Sequence, residues 1–181
     1  NCLSGRNKKH DGTVTLVFEN GERRGWTKAT KRITAYVQQD DLLLSTITPR
    51  EHLLFHASLQ MDQHLSYDEV AAAVDHLINK LNLAKCANTQ IGEPGLVRGV
   101  SGGERKRLSF AAQLLGDPSV LFVDEPTSGL DSHMAEEVVS ILKRLAKLDR
   151  PRTVVTTIHQ PTSHAFAEFD QLLLMSDGRG V

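Results

Sequence analysis

Strands that alternate with helices predict an α/β fold with a largely parallel sheet and an α-helical subdomain at its side. The first observation behind this is Val120–Val123, four apolar residues bounded by Gly116-Asp117-Pro118 before and by Pro126 and Ser128-Gly129 after. A short apolar run between breakers fits a strand buried on both faces, as in a parallel sheet. The second is the long amphipathic pattern Met134, Val138, Ile141, Leu142, Leu145 and Leu148 that follows it, and the third is the next buried strand, Thr153–Ile158.

Taken in order, Thr13–Phe18 has strand composition, and Asn20-Gly21 is a strong hairpin-turn signal. The basic stretch Glu22–Lys31 reads as a solvated surface loop, and Ile33–Gln38 as a second strand leading into Gln39, Asp40 and Asp41. Thr48-Pro49-Arg50-Glu51 combines an N-cap, a proline at the first helical position and a glutamate placed for a capping box. Leu53, Leu54, Ala57 and Met61 continue at helical spacing. Ser66 and Glu69 form another box ahead of the stripe Val70, Ala73, Val74, Leu77, Ile78 and Leu81. Thr48–Leu83 is therefore a helical insertion. After the Gly/Pro-rich connection Ile91–Gly99, Ser101-Gly102-Gly103 opens a helix with Leu108, Ala111, Ala112 and Leu115 on one face. Arg150-Pro151 ends the long helix, and a short helix over Ser163–Phe169 and a strand at Gln171–Met175 complete the pattern, with Ser176–Gly180 as a turn.

The chain of 181 residues has the size of one domain with room for a core. Hydrophobic residues at 40% and charged ones at 24% are ordinary for a globular protein, and a net charge of -1 gives no reason to expect a nucleic-acid partner. The 2 cysteines, Cys2 and Cys86, make no disulfide framework and lack metal-ligand spacing, so a reduced, cytosolic setting is expected. No apolar run reaches the roughly 18 residues of a membrane span, and no signal peptide opens the chain. Both ends read as cut: the first residue is Asn1, and Asn1–Arg6 resembles the last turn of a helix stopped by Gly5.

Chemistry concentrates at the end of the apolar strand. Asp124 and Glu125 lie at its carboxyl tip, where open α/β sheets place ligands. Phosphoryl transfer to water needs a hard cation and a base to orient the attacking water. Asp124 is placed for Mg²⁺ and Glu125 for the water; a helix N-cap pair is the plainer alternative. At Ser101-Gly102-Gly103, glycines let a backbone approach a phosphate, and the free N–H groups of a helix start attract anions.

In the order VSGGERKR, then VLFVDEPTSGLDS, these residues resemble the signature motif, Walker B strand and D-loop of the ATP-binding cassette family, with Glu104 where the family commonly has Gln. The resemblance implies a P-loop NTPase (RecA-like) core, about 1–47 and 117–181, and a helical subdomain over about 48–116. It gives His159 the role of polar switch at the γ-phosphate, and Gln39 that of the Q-loop glutamine, a Mg²⁺ ligand. Gln39 is preferred over the adjacent Gln38 because the family's glutamine directly precedes the acidic pair. Asp131 resembles the D-loop aspartate at the dimer seam. Gln38–Asp41, Ser101–Arg107 and His159-Gln160-Pro161 further resemble the white/scarlet-type half-transporters of the G subfamily, which move pigments, sterols or other lipophilic compounds. That implies ATP and Mg²⁺, a second nucleotide-binding domain of the same or another chain, a transmembrane domain in the full-length polypeptide, and a place on the cytoplasmic side of a membrane. A soluble cassette ATPase acting on ribosomes or DNA and a non-catalytic truncated partner are the rival readings. No G-x-x-x-x-G-K-[ST] phosphate loop occurs in the 181 residues, so the expectation is a fragment that by itself hydrolyses ATP negligibly.

Overall fold

The structure, a computed structural model, describes residues 13–93, 95–147, 151–176 and 179–180. The hairpin is formed by β1 (Thr15–Val17) and β2 (Arg23–Gly25), antiparallel with Leu16 opposite Arg24. Its turn closes where Asn20-Gly21 predicts, with the Gly21 N–H donating to the Phe18 carbonyl at 2.8 Å and Gly21 at φ +79°. The supposed solvated loop Glu22–Lys31 is a correction: it holds β2 and most of α1 (Lys28–Arg32). Its side chains are mostly exposed, but Thr27 and Thr30 build a reciprocal cap that buries Thr30.

Three parallel strands, β3 (Thr34–Val37), β4 (Val120–Asp124) and β5 (Thr153–Thr157), lie in the order β3-β4-β5. Tyr36 is in register with Phe122, and Asp124 with Thr157. Alternation along β4 sends Leu121 and Val123 into the main apolar cluster, while Phe122 lies on the other face with Trp26 at 6.1 Å. The expectation that Thr153–Ile158 is a buried strand is corrected, since β5 alternates between exposed and half-buried residues. It pairs with β4 on one side, and among the described residues nothing pairs with the other.

Between β3 and β4 run α2 (Pro49–Gln60), α3 (Tyr67–Lys80) and α4 (Gly102–Leu114). Thr48 with Glu51 and Ser66 with Glu69 form the two predicted capping boxes, each contributing about 1 kcal/mol. Leu53, Ala57, Val74, Ile78, Leu81 and Leu108 join Val37, Leu121 and Val123 in one continuous core. After β4, α5 (Ser132–Lys147) buries Val138, Ile141, Leu142 and Leu145 at helical period. A short α6 (Ser163–Ala167) follows β5, capped by Thr162. The predicted strand Gln171–Met175 is not formed: residues 171–174 are irregular and exposed, and only β6 (Met175–Ser176) pairs, with β7 (Arg179–Gly180). The helix end proposed at Asn1–Arg6, and Leu148 to Arg150 at the end of α5, lie outside the described residues.

His52, read with His56 and His64 as a surface residue, is buried with Pro49, Leu53 and Ala57 on the inward face of α2, whereas His56 is half-buried and His64 exposed. Its ring lies 4.5 Å from that of His56, and its Nδ1 has no hydrogen-bond partner. Burial first, and the neighbouring His56 second, push its pKa down from 6.5 to about 4. The folded protein thus resists a proton that the unfolded chain accepts, so stability is full above pH 6.5 and falls as the pH drops towards 4. The loss attributable to His52 approaches about 3 kcal/mol. Urea unfolding at pH 7 and pH 4.5 checks this: His52→Leu will lose less stability than the parent between the two pH values, and parallel losses would refute it.

Candidate functional site

The carboxyl tips of β3, β4 and β5 converge on Asp124. The Tyr36 hydroxyl donates to Asp124 Oδ2 at 2.6 Å, and the Thr157 hydroxyl to Asp124 Oδ1 at 2.7 Å. Thr157, foremost, and Tyr36 hold the carboxyl below its usual range against the opposing effect of burial, so Asp124 is ionised at neutral pH. Glu125 follows with φ +42°, in the left-handed region that side-chain-bearing residues seldom occupy. Its N–H donates to the Thr157 hydroxyl at 3.0 Å, and its Oε2 accepts from Gln39 Nε2 at 3.0 Å. Gln39 and the adjacent acids Asp124 and Glu125 thereby meet from segments far apart in sequence, with Gln39 bonded to Glu125.

At the other candidate element, Ser101 is the N-cap of α4, and its hydroxyl accepts from the Glu104 N–H at 3.3 Å. Glu104 Oε2 in return accepts from the Ser101 N–H at 2.7 Å. Burial works to raise the Glu104 pKa, but the bonds from the Ser101 backbone and side chain outweigh it and hold the carboxyl below its usual range. This is a capping box like those at Thr27, Thr48 and Ser66, and it assigns Glu104, the departure from the family's Gln, a structural task. With the Glu104 N–H taken, the N–H groups of Gly102 and Gly103 remain as the donors of the first turn without a partner among the described residues. Leu130 and Met134 crowd the two glycines: a Cβ at Gly102 would lie 3.1 Å from Leu130 Cδ2, and one at Gly103 2.8 Å from Met134 Cε, so these flexible side-chain ends would have to shift.

The basic run that follows is not a solvated face. Arg105 Nη1 donates to the carbonyls of Ile91 at 3.3 Å and Gly92 at 3.0 Å, tying down the Gly/Pro-rich connection. Buried Lys106 donates to the Gln39 carbonyl and to Asp41 Oδ1 at 3.1 Å, while the Ser109 hydroxyl donates to the same Asp41 oxygen at 2.8 Å. Arg107 Nη1 meets Glu137 Oε1 of α5 at 3.1 Å. Each of these consecutive residues therefore grips a different segment. Sequence reasoning missed Tyr36, Thr157 and Lys106. A threonine at the predicted tip beside the acid strand was the one available signal for Thr157, and Lys106 lies two residues before Leu108 on a predicted apolar helix.

Two proposed residues make no hydrogen bond to Asp124 or Glu125 among the described residues. Asp131 Oδ1 accepts from the Met134 N–H at 2.9 Å, capping the start of α5. His159 is exposed at the end of β5, next to left-handed Gln160 (φ +50°), and has no hydrogen-bond partner among the described residues. No hydrogen bond joins Ser101, Gly102 or Gly103 to Asp124 or Glu125. Cys86 is buried, and its thiol is pushed up to about 11 by burial and then by Glu104, which excludes it as a nucleophile.

The donor set fits Mg²⁺. Each Asp124 oxygen accepts one hydroxyl and retains further lone pairs, and the Gln39 amide oxygen is left over when its Nε2 serves Glu125. Among the described residues no group of three or more His, Cys, Asp or Glu could form a metal cage by itself. Mg²⁺ takes one or two protein oxygens and completes its shell with water and substrate phosphates.

Comparison with known proteins decides the family: the pattern described as ABC transporter matches residues 1–128. The chain belongs to the ABC transporter family. This ABC chain is 54% identical over 145 residues to Protein white of Drosophila melanogaster, covering 80% of the chain and 21% of that protein. It is 44% identical over 182 residues to the ABC transporter ATP-binding protein/permease wht-1 of Caenorhabditis elegans, covering 100% and 27%. With ABC transporter G family member 14 of Arabidopsis thaliana it shares 49% over 165 residues, covering 91% and 25%. It is thus a nucleotide-binding domain of the G type, and it spans about a fifth to a quarter of the length of these relatives. A solved ATP-binding cassette, dimeric in a post-hydrolysis state with ADP and Pi, superposes with a TM-score of 0.65 at 24% identity, over 83% of this chain and 63% of that one, and supports the P-loop NTPase fold. Among the described residues no helix is long and apolar enough to cross a membrane.

Proposed function

We propose that these residues bind and hydrolyse ATP in a G-type half-transporter, powering movement of a lipophilic or pigment-type compound across a membrane. The observation that carries this is the cluster at the strand tips, in which Tyr36 and Thr157 fix Asp124 while Gln39 fixes Glu125. Asp124 and the Gln39 amide oxygen hold Mg²⁺, which when bound neutralises the phosphate oxygens. Glu125 accepts a hydrogen bond from the attacking water and polarises it, with Gln39 setting its carboxylate's direction. His159 contacts the γ-phosphate from the end of β5. Ser101 and the N–H groups of Gly102 and Gly103 receive the nucleotide held by a second nucleotide-binding domain, and Asp131 borders that seam.

The partner is a like domain of the same or another half-transporter. The full-length polypeptide adds a transmembrane domain, which places this domain on the cytoplasmic side. The helices at about 48–116 act as one arm against the core at about 1–47 and 117–181. Closure of two domains on two ATP molecules drives the membrane part, and hydrolysis resets it. Magnesium-dependent phosphate release by the full-length protein, with its state of association, tests the reading; a monomer without turnover would refute it. The 181 residues alone contain no phosphate-loop motif and are expected to bind Mg-ATP weakly and hydrolyse it negligibly. Tight binding in a nucleotide titration of that polypeptide would overturn this expectation.

A further inference from the structure

Lys106 lies in the middle of α4 with 5% of its side chain exposed, and its partner Asp41 with 15%. An ammonium taken out of water needs partners, and Lys106 has two, the Asp41 carboxylate and the backbone carbonyl of Gln39. The bond to the carbonyl is the informative one. An ion pair with Asp41 alone would secure α4 to the loop after β3. The second bond fixes the backbone of the residue whose side chain reaches Glu125 at 3.0 Å. A line of direct contacts therefore runs from the helix that begins at Ser101, through Lys106 and Gln39, to Glu125.

We propose that Lys106 is a positioning residue for hydrolysis: it registers Gln39 on α4, so that Glu125 is aimed only when this helix is seated. The inference rests on the ATPase reading above and adds a residue to it. The buried charge makes the register strict, because a Gln39 loop that moved without α4 would strand the ammonium in the interior.

Three variants of the full-length protein separate this from simple stabilisation. Lys106→Met removes both bonds. Asp41→Asn removes the ion pair but leaves Lys106 on the Gln39 carbonyl and keeps an acceptor for Ser109. Lys106→Met combined with Asp41→Asn removes both charges, so that neither is left buried alone. Magnesium-dependent kcat and KM for ATP are measured below the thermal midpoint of every variant, with the midpoints recorded. The expected result is a kcat at least about tenfold lower in both Lys106→Met proteins, with KM within about threefold, as misplacement of a base-orienting group produces. Asp41→Asn is expected to lower the midpoint but keep kcat within about threefold of the parent. Equal loss of kcat in Asp41→Asn and Lys106→Met, or parental turnover in the double variant, would overturn the proposal. A parent protein without magnesium-dependent turnover would instead remove the ATPase reading, and this inference with it.

Discussion

Glu125→Gln in the full-length protein will abolish ATP turnover and leave ATP-bound dimers intact. The substitution preserves length and shape, and a glutamine can still accept from Gln39 Nε2 through its amide oxygen, so the local geometry persists. What disappears is the carboxylate's ability to polarise a water and take its proton, an effect worth about 10²–10⁴ in rate. Binding depends on other groups, so nucleotide affinity stays and closed dimers accumulate. Phosphate release together with size-exclusion chromatography in the presence of ATP reads both quantities. Unchanged hydrolysis would remove Glu125 from the role of base.

Asp124→Asn will have a comparable effect on turnover for a different reason, with a penalty in stability as well. The amide cannot neutralise a hard cation, and the expected fall in magnesium-dependent kcat is at least about 10². Both oxygens of Asp124 already accept hydroxyls, from Tyr36 and from Thr157. Asparagine offers one oxygen and an NH₂, so one hydroxyl must turn to accept and both bonds lose the assistance of the carboxylate charge, at about 1–3 kcal/mol. Because the carboxyl's folded pKa is depressed, its own contribution to stability is present above the unfolded value and lost as the pH falls through the folded one. Urea unfolding of Asp124→Asn against Tyr36→Phe, which removes one hydroxyl and leaves the charge, separates the two effects. Tyr36→Phe should lose the smaller share both of stability and of turnover, because Thr157 still holds the charged carboxylate, and equal loss of turnover in both variants would refute a charge-specific role.

What the sequence shows best is chemistry written in neighbouring residues. The apolar run ending in Asp124-Glu125 predicts β4 and its tip, and the Thr48/Glu51 and Ser66/Glu69 pairs predict two helix starts, because caps act over three residues. The same pattern at Ser101/Glu104 went unread beneath its phosphate-binding appearance. Contacts that cross the sheet were not legible. Tyr36 and Asp124 are 88 positions apart, and only strand register brings the hydroxyl to the carboxylate. The burial of Lys106 and Arg107 was not legible either, since a basic run carries no mark that its members will be buried one by one against separate segments. His52 was misread because one histidine on an otherwise mixed helix does not announce which face it occupies. At the other extreme, Leu172 to Leu174 have strand composition but no strand to join among the described residues, so they stay exposed.

The left-handed backbone at Glu125 bears on which acid this bend can use. Aspartate, asparagine or glycine would adopt the turn with less steric opposition, glutamate at an expense of about 1 kcal/mol. Yet an aspartate's carboxylate would stop one methylene short of the amide that now greets it from the neighbouring loop. The protein accepts an uncomfortable corner in exchange for reach.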